Sequence, residues 1–143
     1  MSGFPTIDTN VVVVGLLTGH AYSPVARILD GMLSAAFPFV VSEALLAEYR
    51  ALLLRSKLCK RHGLSVAEID TFMTDLARHA IVLNPSNTVT APITPDAGDQ
   101  ILWNLSASRA DLVLVTGDKL LLQDSTMLHR IILPQTFMAQ WQH

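Results

Sequence analysis

The chain has 143 residues, of which 50% are hydrophobic and 15% charged, a balance that supports one packed domain and excludes a disordered chain. The formal net charge of -2 excludes binding of nucleic acid through overall positive charge, so a nucleic-acid partner must be bound by local groups. The single cysteine, Cys59, excludes an internal disulfide and favours a reducing, cytoplasmic setting. We expect residues 1–143 to form a single domain without a membrane span, because the apolar run at 11–17 is far shorter than the roughly 20 residues that cross a bilayer.

Strand and helix patterns alternate along the chain. The predicted elements are a strand at 4–7, an apolar run of undetermined type at 11–17, a helix from 24 to about 35, a strand at 37–41, a helix from 43 to about 58, a helix at 65–79, a strand at 80–83, a loop at 84–98, a helix at 99–109, a strand at 112–115, a short helix at 119–122, a strand at 131–133 and a helix at 134–141. Ser23 before Pro24, Ser42, and the pair Ser65 and Glu68 supply helix-start residues. This alternation predicts an α/β domain with a mainly parallel sheet.

Four acidic residues stand just after strands or within the first turns of helices. Asp8 directly follows the first strand, and Asp118 comes three residues after the strand at 112–115. Asp99 begins a predicted helix, and Glu48 lies about one and a half turns into another. Because the carboxyl ends of parallel strands meet at one sheet edge, where ligands bind, all four acids are predicted to converge there.

Converging carboxylates repel one another unless a cation neutralises them, and Mg²⁺ or Mn²⁺ prefers oxygen ligands. Such a cation activates water and stabilises the charge of a phosphodiester under attack. Asn10 and Thr116 add neutral oxygens suited to orienting a ligand or a phosphate. Each acid taken alone also suits an ordinary structural role, in a turn, at a helix N-terminus or on a solvated helix face. The functional hypothesis therefore rests on the four acids together.

The motifs and their order resemble the PIN-domain family. The segments that carry the resemblance are Ile7-Asp8-Thr9-Asn10-Val11, the helix start at 41–50, the segment at 95–103, Val115-Thr116-Gly117-Asp118-Lys119-Leu120-Leu121, and the closing segment at 132–137. The resemblance covers nearly the whole chain. It implies a three-layer α/β/α sandwich with a parallel sheet, and Mg²⁺- or Mn²⁺-dependent cleavage of RNA.

The resemblance also implies roles for individual residues. Carried over by position, the catalytic and metal-binding acids would be Asp8, Glu48, Asp99 and Asp118, with Asn10 and Thr116 supporting them. Glu43 competes with Glu48 but suits a helix start better. Related sequences often have a denser acidic run where this chain has Pro95-Asp96-Ala97-Gly98-Asp99, so Asp96 either replaces or assists Asp99 as third acid. Many members are VapC-like toxins of type II toxin–antitoxin systems, which implies a homodimer and a small antitoxin as partners.

A local basic cluster follows Glu48 along the chain. Its members are Arg50, Arg55, Lys57, Lys60 and Arg61. They would contact the RNA backbone, or they form an ordinary solvated helix end, where cations are favoured.

Two other functions stay open at this point. One is a PIN-fold protein without nuclease activity, acting as an RNA-binding or regulatory module. The other is an acid-rich phosphatase on a different α/β fold, for which an Asp-x-Asp motif would be expected where this chain has Asp8-Thr9-Asn10. No glycine-rich phosphate loop and no Ser/His/Asp elbow motif appears in the sequence.

Overall fold

Helices and strands alternate in the order that the sequence predicts. A computed structural model describes residues 3–85, 97–122 and 128–141. Its elements are β1 (Phe4–Ile7), α1 (Thr9–Leu17), α2 (Pro24–Leu33), β2 (Phe39–Val41), α3 (Glu43–Leu53), α4 (Ser56–His62), α5 (Val66–His79), β3 (Ala80–Val82), α6 (Ala97–Ser108), β4 (Leu112–Val115), α7 (Lys119–Leu122), a 3₁₀ turn (Leu128–Arg130), β5 (Ile131–Ile132) and α8 (Pro134–Trp141). No helix of the described part of the chain is long and apolar enough to cross a membrane.

The strands pair in parallel, which confirms the predicted sheet and the α/β/α fold. β4 lies between β1 and β5 in one ladder, and β2 pairs with β3 in the other. β2 also lies beside β1. In the first ladder Ile7 pairs with Val115, and Val115 with Ile132. Three strands therefore end level at one edge, and the residues that follow them emerge side by side.

Local helix-start residues act as predicted. The Ser23 hydroxyl accepts a hydrogen bond from the backbone of Ala26, and the Ser42 hydroxyl accepts one from Leu45. The Ser65 and Glu68 pair forms the predicted reciprocal capping box at the start of α5. The apolar run at 11–17 is helical. Although valine is a weak helix former, three consecutive valines are buried there, and tertiary packing decides the structure.

The predicted helix from 43 to about 58 was wrong, because α3 ends at Leu53 and α4 begins at Ser56. Arg55 between them has an extended backbone. The carbonyl of Leu53 is satisfied by side chains of the next helix instead of by a continuing helix: Cys59 Sγ donates to it at 3.4 Å, and His62 Nε2 lies 2.9 Å away. Because His62 Nδ1 accepts from the Leu64 backbone, its Nε2 carries the donating hydrogen.

Other predicted boundaries shift by one or two residues. β2 begins at Phe39 instead of 37, and β5 ends at Ile132 instead of 133. α6 begins at Ala97 instead of 99, so the predicted loop at 84–98 ends earlier. Residues 86–96 of that loop lie outside the described residues.

Replacing Gly15 with Ala is expected to destabilise the protein, although Ala favours a helix interior by about 1 kcal/mol over Gly. A Cβ at Gly15 would lie 2.7 Å from the Val25 carbonyl oxygen, because α1 and α2 approach closely there. The backbones of two packed helices cannot move far enough to relieve such a contact, and overpacking costs about 1–3 kcal/mol. Urea unfolding would measure the net loss. Gly19→Ala, where nothing lies within 4 Å of the added Cβ, is the control and should be nearly neutral. A gain in stability for Gly15→Ala would contradict the close approach.

Candidate active site

Asp8 lies at the carboxyl end of β1 and immediately before α1. Its backbone N–H donates to the Val115 carbonyl at 3.1 Å, which continues the β1–β4 ladder by one residue. Its carbonyl accepts from the backbone of Val11 and Val12 at the start of α1. The side chain is only 4% exposed. The strand and the helix thus fix the position of a buried carboxylate at the sheet edge.

Thr116 links Asp8 to Asp118. The Thr116 side chain is fully buried, and its hydroxyl donates to Asp8 Oδ2 at 2.6 Å. The same oxygen accepts from the backbone N–H of Asp118 at 3.0 Å. One hydroxyl therefore orients the Asp8 carboxylate and fixes the backbone of Asp118, which is half-buried. The predicted supporting residue Thr116 is placed between two of the predicted acids.

Glu48 reaches the same edge from α3. Its Oε2 accepts a hydrogen bond of 3.0 Å from the hydroxyl of Thr9, the first residue of α1. Since Thr9 directly follows Asp8, this bond ties the side chain of α3 to the end of β1. Glu43, the competing candidate, is exposed at the first position of α3.

The charges of these acids act on one another. Burial raises the pKa of the Asp8 carboxyl, and the negative charges of Asp118 and Glu48 raise it further. Hydrogen bonds from the Thr116 hydroxyl and the Asn10 backbone work in the opposite direction and lower that pKa. The structure thus brings three of the four predicted acids into electrostatic contact, with Asp8 at the centre.

Tyr49 is a site residue that the sequence did not reveal. Its ring is fully buried beside Glu48 in the chain, and its hydroxyl donates to the carbonyl of Ile7, the residue before Asp8. Burial raises its pKa well above the usual value, and the charges of Asp8 and Glu48 add to the effect. The hydroxyl therefore keeps its proton and continues to donate to the end of β1.

Asp99 and Asp96 belong to the segment that the sequence predicts to supply the third acid. Asp99 is half-buried in the first turn of α6, a helix that packs against α3 and β4. The role of Asp99 as third acid stays a prediction. Asp96 lies outside the described residues.

The donor set at the edge suits a hard divalent cation. Within residues 3–85, 97–122 and 128–141, no three Asp, Glu, His or Cys side chains are close enough to hold a metal ion by themselves. Mg²⁺, however, usually binds one or two carboxylates and completes its shell with waters and substrate phosphates. Asp8, which is buried and linked through Thr116 to Asp118, supplies the anionic oxygens that such a cation would neutralise.

The remaining predicted residues lie apart from this cluster or at its rim. Asn10 is exposed in the first turn of α1 and borders a small pocket together with Asp118. Arg50 pairs with Asp70 at 2.7 Å, so its charge is partly neutralised. The other four members of the basic cluster, Arg55, Lys57, Lys60 and Arg61, are exposed on α4 or directly before it.

The fold and the edge acids together define an α/β protein with an acidic site at the carboxyl end of a parallel sheet. The sequence model of the PIN domain matches residues 6–120. This chain therefore belongs to the PIN-domain family, as its motifs indicated, and the match includes Asp8, Glu48, Asp99 and Asp118. PIN domains are generally nucleases that use divalent metals, which gives the chain a nuclease role at that general level. No curated protein matches the chain.

Proposed function

We propose that this chain is a Mg²⁺- or Mn²⁺-dependent ribonuclease that hydrolyses phosphodiester bonds at the edge formed by Asp8, Glu48 and Asp118, together with Asp99 as the third acid. The observation that carries the proposal is the buried Asp8 carboxylate, which Thr116 links to Asp118 and beside which Thr9 holds Glu48. When bound there, a divalent cation would lower the pKa of a water and offset the charge that develops on the phosphate.

The protein's own residues would prepare the site before RNA binds. Thr116 holds Asp8 and the Asp118 backbone in one arrangement, and Thr9 holds Glu48. Held in this way, the carboxylates need little rearrangement when a cation or substrate arrives, which is how preorganised sites lower a reaction barrier. The exposed cations of α4 are proposed to contact the RNA backbone.

Cleavage of a structured RNA mixture by the purified protein tests the proposal. Cleavage should appear with Mn²⁺ or Mg²⁺ and disappear with EDTA, and added metal should restore it. Cleavage that persists in EDTA would contradict the metal requirement. Absence of cleavage under every metal condition would contradict the ribonuclease proposal.

We further propose a narrower role as the VapC-like toxin of a cytoplasmic toxin–antitoxin pair, active as a homodimer and inhibited by a small antitoxin. The resemblance of the motifs supports this role. Induced expression in a bacterial host should arrest growth, and the Asp118→Asn variant should not. Light scattering after size-exclusion chromatography would report the dimer. Normal growth on expression of an active nuclease would contradict the toxin role.

A second candidate function is a catalytically inactive PIN-fold module that binds RNA. The observation in its favour is that the described acids do not form a ready three-ligand metal group. Such a module would bind RNA without cleaving it and would bind Mn²⁺ weakly or not at all, which calorimetry distinguishes from the nuclease.

Replacing Thr9 with Val is expected to reduce RNA cleavage about tenfold. The change removes the hydroxyl that donates to Glu48 Oε2 while keeping the side-chain shape, and hydrogen bonds to charged groups contribute about 1.5–3 kcal/mol. Cleavage rates measured against Mn²⁺ concentration would show whether metal use changes along with rate. Thr71→Val is the matched control, because the Thr71 hydroxyl bonds only to its own helix at Ala67. Equal rates for both variants would contradict a role for Thr9.

A further inference from the structure

A small pocket adjoins the acidic edge. Its volume is about 230 Å³, and it is lined by Asn10, Val11, Val14, Val25, Gly117, Asp118 and Pro134. Three of these residues, Asn10, Gly117 and Asp118, belong to segments that follow β1 and β4. Through Asp118 the pocket is therefore continuous with the candidate active site.

The walls of the pocket are apolar, and one of the side chains that form them is unusually exposed. Val14 on α1 is 49% exposed, although it is a large hydrophobic side chain within a helix that is otherwise well packed. Val25 and Pro134 contribute apolar surface from the first turns of α2 and α8. Gly117 adds no side chain to the lining, and nothing lies within 4 Å of the position of a Cβ there. Apolar walls with a few polar groups at the rim are typical of small-molecule sites.

We propose that this pocket binds one unpaired nucleobase of the RNA, that of a nucleotide next to the scissile phosphate. The inference rests on the proposed ribonuclease function and adds a determinant of substrate choice to it. The pocket is smaller than the roughly 300–1,000 Å³ of sites for drug-sized ligands, so it suits a single ring system. The valine and proline side chains would contact the faces of the base.

The polar rim favours a base over an apolar protein side chain. The Asn10 amide offers both a donor and an acceptor, which matches the mixed polar edge of a nucleobase. A base bound in this way must leave its helical stack, so the pocket favours single-stranded or looped RNA. An apolar side chain from a protein partner would leave the Asn10 amide without a matching group.

The test replaces Val14 with Trp, which fills the pocket from an exposed position. Val66→Trp is the matched control, because Val66 is 57% exposed on α5 and does not line the pocket. The substrates are a single-stranded RNA oligonucleotide and a copy with abasic residues on both sides of the cleaved bond. The wild type and Val66→Trp should cleave the intact RNA at least about tenfold faster than the abasic copy, in line with the burial of one base against apolar walls. Val14→Trp should lose this preference.

Two kinetic outcomes would overturn the pocket proposal. One is an unchanged preference in Val14→Trp together with unchanged rates on both substrates. The other is an equal loss of rate on both substrates, which would place the effect at the carboxylates. Val14→Ser, which removes apolar wall without adding bulk, should weaken the preference several-fold and guards against a folding defect in the Trp variant.

A binding measurement separates this proposal from the ribonuclease proposal. Fluorescence anisotropy with the same two oligonucleotides in Ca²⁺ needs no cleavage. The wild type should bind the intact RNA about tenfold more tightly than the abasic copy, and Val14→Trp should bind both alike. If the wild type cleaves neither substrate, the ribonuclease proposal fails. The comparison of binding affinities still tests whether the pocket binds a base. Equal binding of both RNAs by the wild type would overturn the base-binding role and leave the pocket to a protein partner.

Discussion

Asp118→Asn is expected to reduce RNA cleavage by at least about a hundredfold, because a carboxylate that holds a catalytic cation contributes several kcal/mol to the transition state and each 1.36 kcal/mol is tenfold in rate. The substitution keeps the size of the side chain and the backbone N–H that donates to Thr116. Asp8→Asn should have an effect at least as large, since Asp8 lies at the centre of the acidic cluster. Initial rates on a fluorogenic RNA, at saturating Mn²⁺, would measure both.

Asp30→Asn is the matched control for these variants. Asp30 is exposed on α2, and the substitution removes the same charge from the protein. It should leave the rate within about twofold. Wild-type rates in both Asp8→Asn and Asp118→Asn would contradict the assignment of the site, and an equal loss in Asp30→Asn would point to overall charge as the cause.

Asp8→Asn is also expected to raise the thermal stability of the metal-free protein at neutral pH. The pKa of Asp8 is raised in the folded protein, by burial first and by the neighbouring acids second. A carboxyl whose pKa is raised by folding stabilises the fold in its protonated form, and this contribution is lost as pH rises through the folded-state pKa. The ionised carboxylate is therefore unfavourable at neutral pH, and asparagine removes that cost while keeping an acceptor for Thr116.

The pH dependence distinguishes this explanation from better packing. The advantage of Asp8→Asn should be full above the raised pKa and should fade as pH falls toward about 3.9, the usual value for Asp. Scanning calorimetry in EDTA would measure it, since each 1 kcal/mol corresponds to about 2–8 °C in Tm for domains near this size. A lower Tm for Asp8→Asn at neutral pH would contradict this prediction. It would show that the Thr116 hydrogen bond stabilises the ionised carboxylate by more than burial destabilises it.

Local patterns were sufficient to predict most of the fold. Continuous apolar runs marked β2 and β4, and serine caps marked the starts of α2, α3 and α5. The break between α3 and α4 could not be predicted, because no Gly or Pro marks it. It depends on side chains of α4, among them Cys59 and His62, which return to the Leu53 carbonyl.

The acids of the site that follow strands or lie in family motifs could be predicted from the sequence. Asp8, Glu48 and Asp118 were predicted to converge, and the structure brings them together. Thr9 and Tyr49 were missed because their roles depend on contacts between α1, α3 and β1 that are distant in sequence. In the sequence, Tyr49 falls at helical spacing with Leu45, Leu52 and Leu53, a pattern typical of an apolar helix face. The need of a buried tyrosine hydroxyl for a partner was the one available signal.

Calorimetric titration of Mn²⁺ into the purified protein is the most direct test of the claim that these carboxylates hold a catalytic cation. We expect saturable binding to the wild type and to Asp30→Asn, and loss of binding in Asp8→Asn, whose fold scanning calorimetry would verify. Wild-type Mn²⁺ affinity in Asp8→Asn, or no Mn²⁺ binding to the wild type, would contradict it.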